Sequence, residues 1–214
     1  MFSRHELVWL TTQGWDVARA GAPEEQHPAL LAWRNGNWPA VVRRHESGLP
    51  DDVVCLGLPL PLSRGVRQRL ALVTPLNHVA RRCPALPIGD TLGAAPRQWR
   101  ATLAALQRDF AALDLRVYGS LAMASLTGQS YLRPQSDIDL LLRPASTGEL
   151  HVGLALLAHY AALLPLDGEI VFPSDEAVSW KEWLAAQRDG ARVLVKSRGA
   201  VRLAAPSLLE ASLA

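Results

Sequence analysis

Lysine, cysteine and long apolar runs are all scarce in this chain of 214 residues. Only two of its 22 basic residues are lysine, and acidic and basic side chains nearly cancel to a net charge of +2. A charge so close to zero does not favour bulk attraction to nucleic acid or to a membrane surface. We therefore expect neither nucleic acid nor a membrane as a partner.

The two cysteines, Cys55 and Cys83, form no CxxC pair and no metal-binding spacing. Two free thiols are typical of a reducing compartment. The first ten residues lack the apolar core of a signal peptide. The longest apolar stretch, residues 152–166, contains His159 and reaches a proline. It falls short of the roughly 20 residues that a membrane span needs. We expect a cytoplasmic protein.

Composition divides the chain near residue 90. Proline and glycine are dense before that point, and the apolar runs LVWL, PAVVRR, VVCLGLPLPL and RLALV are short. Such runs predict brief strands separated by turns, with a helix over 76–83. We expect a smaller N-terminal α/β region, 1–90, and a second domain over 91–214.

The second region has a clearer pattern of alternating helices and strands. A helix is predicted after Pro96, and Gly128 is predicted to end another over 120–127. Ser146 with Glu149, and Ser179 with Glu182, form two capping boxes. The predicted strands are LRVYGS, SDIDLLL, EIVF, RVLVK and VRLA. This order predicts an α/β (α+β) fold, with helices packed on a small mixed sheet.

Two aspartates alternate inside the apolar run SDIDLLL. Side chains alternate across a strand, so Asp137 and Asp139 are predicted to share one face. Adjacent carboxylates repel each other and are costly to bury. Mg²⁺ offsets that cost, because it favours one or two carboxylates together with phosphate oxygens. The motif predicts a metal-assisted displacement at phosphorus.

A Gly-Ser pair supplies a second part of the predicted site. Gly119 allows close approach of a ligand to the backbone, and Ser120 is placed to cap the following helix. The N–H groups of that helix start would then form an anion site. Phosphates held there would lie over a metal held by the aspartates.

A third carboxylate is expected on a neighbouring strand. LDGEIVF offers Asp167 and Glu169. Glu169 lies better within the apolar run, whereas Asp167 also suits a turn with Gly168, and we favour Glu169 as the third metal-binding acid.

Several cationic positions complete the candidate set. Lys196 at a strand end, Arg116 before the Gly-Ser pair and Arg133 before the aspartates are candidate phosphate contacts. The first region holds five further arginines, for which a solvated face is the simplest interpretation; they are Arg64, Arg67, Arg69, Arg81 and Arg82.

These residues together resemble the DNA polymerase β-like nucleotidyltransferase superfamily. Its pattern is an apolar strand, Gly-Ser, a helix, Asp-x-Asp in a strand and a further acid. Gly119, Ser120, Asp137, Asp139 and Glu169 match it. The spacing from Ser120 to Asp137 is longer than usual in that superfamily, and an insertion around GQSYLRPQ explains the difference.

The flanking phrases resemble a narrower family. VYGSLAMASLTGQSYLRPQSDIDLLL, LDGEIVF, AVSWKEW and RVLVKS are similar to malonate decarboxylase holo-acyl-carrier-protein synthases, which are phosphoribosyl-dephospho-CoA transferases. RHELVWL, WPAVVRR and LGLPLP extend the resemblance over nearly the whole chain.

The resemblance implies a specific reaction. The donor would be 2'-(5''-triphosphoribosyl)-3'-dephospho-CoA, and the acceptor a serine of the apo acyl-carrier subunit of malonate decarboxylase. Asp137, Asp139 and Glu169 would bind Mg²⁺, and Glu169 would help to deprotonate the serine. Gly119 and Ser120 would bind the departing pyrophosphate. The region 1–90 would bind the donor or the carrier, and the domain 91–214 would be catalytic. The five arginines of the first region would then be candidates for facing an acidic carrier protein.

Two other interpretations compete with this one. A nucleotidyltransferase could use ATP on a small molecule or on another protein, which keeps the same chemistry. A non-catalytic binding module could retain the fold without turnover, although the intact Asp-Ile-Asp argues against it.

Overall fold

The computed structural model describes residues 2–62, 66 and 68–213. The chain forms two compact units. The first comprises residues 1–85 with 126–131, and the second residues 86–125 with 132–214. The division therefore falls five residues before the position chosen from composition, and part of the GQSYLRPQ insertion belongs to the first unit.

The first unit contains a five-stranded antiparallel sheet and two helices. Its elements are β1 (Leu7–Leu10), α1 (Thr12–Ala20), α2 (His27–Asn35), β2 (Ala40–Val42), β3 (Val53–Pro59), β4 (Arg69–Pro75) and β5 (Val79–Cys83). The strands lie in the order β4-β3-β2-β1-β5.

Alternate residues of this sheet form the core of the first unit. Val8, Ala40, Leu56 and Leu72 are buried on one face. Trp33 of α2 is also buried, and its indole N–H donates to the carbonyl of Pro39 at 3.0 Å. Period-two burial on the strands explains why the short apolar runs were recognisable as strands.

Sequence patterns failed at two places in the first unit. The helix expected over 76–83 is wrong: a 3-10 turn over Leu76–His78 leads into β5, which pairs with β1. Strand pairing overrides local helix propensity there. Helices α1 and α2 were not predicted, although Thr11 is a good N-cap and accepts a hydrogen bond from the N–H of Gly14 at 3.0 Å.

Three of the five candidate carrier-facing arginines lie in the described part of the first unit. Arg69 is exposed on β4. The guanidinium of Arg81 stacks 3.6 Å from the ring centre of Trp9, and that of Arg82 lies 4.8 Å from the ring centre of Phe2. Arg64 and Arg67 lie outside the described residues.

The second unit contains a seven-stranded mixed sheet. Its elements are β6 (Leu86–Pro87), α3 (Arg97–Asp109), β7 (Asp114–Tyr118), α4 (Gly119–Thr127), β8 (Ile138–Arg143), α5 (Thr147–Ala161), β9 (Leu166–Val171), β10 (Ala177–Ser179), α6 (Trp180–Asp189), β11 (Val193–Lys196), β12 (Val201–Ala204) and α7 (Pro206–Glu210). Strand order is β12-β11-β10-β9-β8-β7-β6, with β8 and β9 parallel and the other pairs antiparallel.

One face of this sheet carries the hydrophobic core. Ile138, Leu140 and Leu142 of β8 are buried in one cluster with the apolar side chains of α3, α5 and α6. Helix α5 approaches β8 so closely that a Cβ on Gly153 would come within 2.6 Å of Leu142. Because side chains alternate along a strand, Asp139 must project from the opposite face.

Most elements of the second unit match their sequence patterns, and the α/β class is confirmed. Ser146 caps α5 by accepting from the N–H of Glu149 at 3.2 Å, and Gly128 follows α4 with φ of +68°. The second capping box is wrong. Ser179 makes no capping hydrogen bond, and Glu182 instead accepts from the N–H of Leu194 at 2.7 Å.

Two tryptophans of α6 belong to the core of the second unit. Trp180 and Trp183 are both buried in the core, and the Trp183 ring lies 5.1 Å from that of Phe172. No helix formed by the described residues is long and apolar enough to cross a membrane.

Candidate functional site

The Gly-Ser pair meets the Asp-x-Asp strand at Gly119 and Asp139. Gly119 has φ of +67°, and a Cβ there would overlap the Asp139 Oδ2 atom and come within 2.7 Å of its Cγ. Only glycine satisfies both the left-handed backbone and this close approach. The start of α4 is therefore in direct contact with the Asp139 carboxylate.

Ser120 lies inside the helix rather than before it. Helix α4 begins at Gly119, so Ser120 belongs to the first turn and is not the N-cap that the sequence suggested. Backbone N–H groups of a helical first turn have no partners within the helix. The predicted anion site therefore depends on the backbone N–H groups of this first turn and not on capping by Ser120.

Asp137 and Asp139 differ in their structural setting. Asp139 is the second residue of β8, whereas Asp137 precedes the strand by one residue. Both side chains are half-buried. Asp139 is thus held by the sheet, and Asp137 by the turn that leads into it.

Asp167 is the strand partner of Asp139. In the parallel pairing of β8 with β9, Asp139 lies opposite Asp167, and Leu141 lies opposite Glu169. Side chains of paired residues project to the same face, so the two aspartates face the same side of the sheet. The alternative of Asp167 as a turn residue is wrong.

The glycine between the two acids explains why this strand was hard to recognise. A Cβ on Gly168 would overlap the carbonyl oxygen of Leu140, and the residue has φ of +138°. Glycine is depleted in strands, so LDGEIVF suggested a turn before EIVF. In the structure Gly168 is the position at which β9 approaches the β8 backbone.

Glu169 forms an ion pair with Lys196. Lys196 Nζ donates to Glu169 Oε1 at 2.7 Å, and the glutamate side chain is only 6% exposed against 36% for the lysine. Both residues were selected from the sequence, in separate roles. The pair neutralises a buried carboxylate, which agrees with the rule that buried charges are paired.

Arg116 and Lys181 are engaged with other carboxylates. Arg116 Nε donates to Asp114 at 2.7 Å on β7, and Lys181 Nζ lies 3.7 Å from Asp167 Oδ1. The Lys181 contact was not predicted, because a lysine at the start of α6 carries no signal in the sequence. Both ion pairs are partly exposed, so each is worth little for stability.

Carboxylates are the potential metal ligands in this site. Their oxygen atoms are the hard donors that Mg²⁺ prefers. Within the described part of the chain, no three His, Cys, Asp or Glu side chains are grouped so that they could hold a metal ion. A cation bound here would need ligands beyond the protein, and substrate phosphates are the usual source.

Comparison with known proteins finds similarity over nearly the whole chain and not only over the motif. The family model of the phosphoribosyl-dephospho-CoA transferase MdcG N-terminal domain matches residues 3–85, and that of the C-terminal domain matches residues 85–207. The two matches meet at the boundary between the two units.

Individual relatives carry the same description. A phosphoribosyl-dephospho-CoA transferase of Xanthomonas campestris pv. campestris is 36% identical over 212 residues, covering 95% of this chain and 94% of the relative. One from Bradyrhizobium diazoefficiens is 36% identical over 203 residues, covering 91% and 86%. No solved structure matches the chain.

Proposed function

The chain belongs to the phosphoribosyl-dephospho-CoA transferase MdcG family and is a transferase, and from this premise we propose its donor and acceptor. The donor is 2'-(5''-triphosphoribosyl)-3'-dephospho-CoA. The acceptor is a serine of the apo acyl-carrier subunit of malonate decarboxylase. The observation that carries the proposal is the contact between Gly119 and Asp139 in a chain of this family.

The proposed reaction is a displacement at the phosphorus nearest the ribose. A bond forms between the serine oxygen and that phosphorus, and the bond to the next phosphate breaks. Pyrophosphate leaves, and the serine proton passes to a base or to solvent. The protein forms no covalent bond with the donor in this reaction. Its contribution is to position the reactants and to stabilise the charge of the transition state.

We propose that Asp137 and Asp139 would hold Mg²⁺ together with the donor phosphates, and that Asp167, in place of Glu169, is the acid that faces them from β9. Asp167 is the residue opposite Asp139 in the sheet, whereas the Glu169 carboxylate is bound by Lys196. Mg²⁺, when bound with the donor, would neutralise charge on the phosphate oxygens. The carboxylate oxygens fit that ion, and donor phosphates would complete its ligands.

The remaining residues act on the phosphates directly in this proposal. The N–H groups at the Gly119–Ser120 helix start would receive the departing pyrophosphate. Lys196, oriented by Glu169, would supply a positive charge at the same face of the sheet. Arg116 would have to contribute through donors other than its Nε, which Asp114 occupies.

We also propose that this arrangement relates the second unit to the nucleotidyltransferase superfamily. The strand, Gly-Ser, helix and Asp-x-Asp order supports that relationship. Family membership as a transferase favours an enzyme over the binding-module interpretation, and no contact among the described residues favours ATP as donor.

The test is to incubate the protein with Mg²⁺, the triphosphoribosyl donor and the apo carrier subunit, and to measure the carrier's mass. We expect a mass gain equal to the transferred group. The Asp139→Asn variant should lose transfer by about 100-fold or more, since charge stabilisation of this type is worth that much. Asp189→Asn, an exposed change in α6, is the matched control.

Two outcomes would contradict the proposal. A folded wild-type protein that leaves the carrier mass unchanged would exclude this donor and acceptor pair. Release of pyrophosphate from ATP in the absence of any carrier would instead favour the small-molecule nucleotidyltransferase.

A further inference from the structure

Arg133 precedes Asp137 by four residues and carries an unpaired guanidinium. Its Nε atom is buried and has no hydrogen-bond partner. Across the described residues, its guanidinium forms no ion pair and no hydrogen bond. The other arginines nearby in the second unit differ, since Arg116 pairs with Asp114 and Arg143 with Asp175.

A closed turn fixes the position of Arg133 relative to the Asp-x-Asp motif. The N–H of Ser136 donates to the Arg133 carbonyl at 3.0 Å, and the Arg133 N–H donates to Ser136 Oγ at 2.8 Å. Ser136 is buried. A turn of this kind brings its first and fourth Cα atoms within about 7 Å, so the arginine backbone lies close to Asp137.

An unpaired buried guanidinium nitrogen is costly. Leaving a charged donor unsatisfied carries the desolvation cost of that group with no hydrogen bond to offset it. Most buried polar groups of native proteins have a hydrogen-bond partner, and each exception calls for an explanation, of which a bound ion or a catalytic role is one. The most economical partner here is an anion that the protein binds during its activity.

We propose that Arg133 binds the terminal phosphates of the triphosphate donor, which become the pyrophosphate product. The planar guanidinium matches pairs of phosphate oxygens and stays charged at every working pH. This inference rests on the proposed function, because it assigns a residue to the same reaction. It adds a cation supplied by the turn before Asp137 to the donors of the α4 start.

The experiment measures binding of inorganic pyrophosphate with Mg²⁺ by isothermal titration calorimetry. We compare the wild type with Arg133→Gln, Arg133→Lys and Arg188→Gln. Arg188 is an exposed arginine in α6, so its variant removes the same charge away from the site. Arg133→Gln should weaken binding roughly 10- to 100-fold, because charge-assisted hydrogen bonds are lost. Arg133→Lys should recover part of it, and Arg188→Gln should equal the wild type.

Thermal unfolding of Arg133→Met without ligand separates binding from a structural role. If the arginine serves the ligand, removing an unsatisfied buried donor should leave the midpoint unchanged or raise it. A large fall in the midpoint, or failure of the Arg133 variants to fold, would make Arg133 structural and overturn the inference.

The binding outcomes are equally decisive. Wild-type affinity in Arg133→Gln, or no pyrophosphate binding by the wild type, would overturn the assignment of Arg133. The carrier mass assay is read separately on the wild type. Suppose that the wild type modifies the carrier and that the Arg133→Gln variant binds pyrophosphate as tightly as the wild type. The proposed function would then stand, and the role of Arg133 would be rejected.

Discussion

The carboxylate of Asp139 occupies the space that a side chain on Gly119 would need. The two residues are 20 positions apart, and the end of β7 brings them together because Tyr118 pairs with Asp139 across the sheet. This relationship makes glycine necessary at position 119 for two independent reasons, its φ of +67° and its contact with the carboxylate. It also allows the two effects to be separated by experiment.

Gly119→Ala should lower transfer activity by about 100-fold while destabilising the fold only modestly, because the added Cβ displaces the carboxylate proposed to bind the metal. Gly128→Ala is the matched control, since Gly128 has φ of +68° and no atom lies within 4 Å of the position that its Cβ would occupy. Both should lose about 1 kcal/mol of stability from the left-handed backbone. Equal activity in the two variants would contradict this account.

The third acid can be identified by comparing Asp167→Asn with Glu169→Gln. Asp167→Asn should abolish most Mg²⁺-dependent transfer, because it removes a carboxylate opposite Asp139. Glu169→Gln should keep measurable turnover with a raised donor KM, since its main loss is the orientation of Lys196. Steady-state kinetics over a range of Mg²⁺ concentrations provides the measurement. A stronger Mg²⁺ dependence in Glu169→Gln would restore Glu169 as the metal ligand.

The Glu169–Lys196 pair should also contribute to stability. Lys196→Met leaves a carboxylate buried without its partner, which we expect to cost about 1–3 kcal/mol, below the full value for a buried pair because the lysine is partly exposed. Adding Glu169→Gln to that variant should recover part of the loss, as judged by urea unfolding. A double variant no more stable than Lys196→Met would show that the pair is not coupled.

The two predicted capping serines should behave differently. Ser146→Ala should cost about 1 kcal/mol of stability, because Ser146 accepts from the N–H of Glu149. Ser179→Ala should cost little, since Ser179 makes no capping hydrogen bond. Chemical denaturation of the two variants gives the comparison, and equal losses would contradict the hydrogen bonding described for α5 and α6.

A buried tyrosine predicts how stability depends on alkaline pH. The Tyr160 hydroxyl donates to Asp109 at 2.6 Å, and this hydrogen bond, with burial, raises the pKa of Tyr160 above its usual value. Tyr160→Phe should therefore cost about 1–2 kcal/mol at neutral pH. Because the pKa of Tyr160 is raised in the folded state, the wild type should keep its full stability difference over Tyr160→Phe below the unfolded tyrosine pKa of about 10. We call this difference in the free energy of unfolding the wild-type advantage.

Above that value the advantage should shrink as the pH rises through the raised pKa of Tyr160, since ionisation removes the donated proton beside a carboxylate. Urea unfolding of both proteins between neutral pH and strongly alkaline pH would measure the difference. A wild-type advantage that grows with alkaline pH would have the wrong sign.

Much of the second unit could be predicted because its patterns are local. Three of these patterns depend on residues close in sequence. They are the helical spacing after Pro96, the N-cap at Ser146 and the end of α4 at Gly128. The first unit was harder to predict. Residues 76–83 carry helix-compatible side chains, yet Val79–Cys83 pairs with β1, whose residues are about 70 positions away. Local patterns contain no information about such a partner.

The sequence by itself determined the α/β class and the family, because residue types and spacing along the chain are enough for both. It also supplied Gly119, Asp137 and Asp139 as candidate site residues. Only the tertiary structure decided between Asp167 and Glu169 as the neighbour of Asp139. That choice depends on the parallel register of β8 with β9, which Gly168 permits by its close approach to Leu140. Register joins residues distant in the chain, so it follows from packing and not from local propensity.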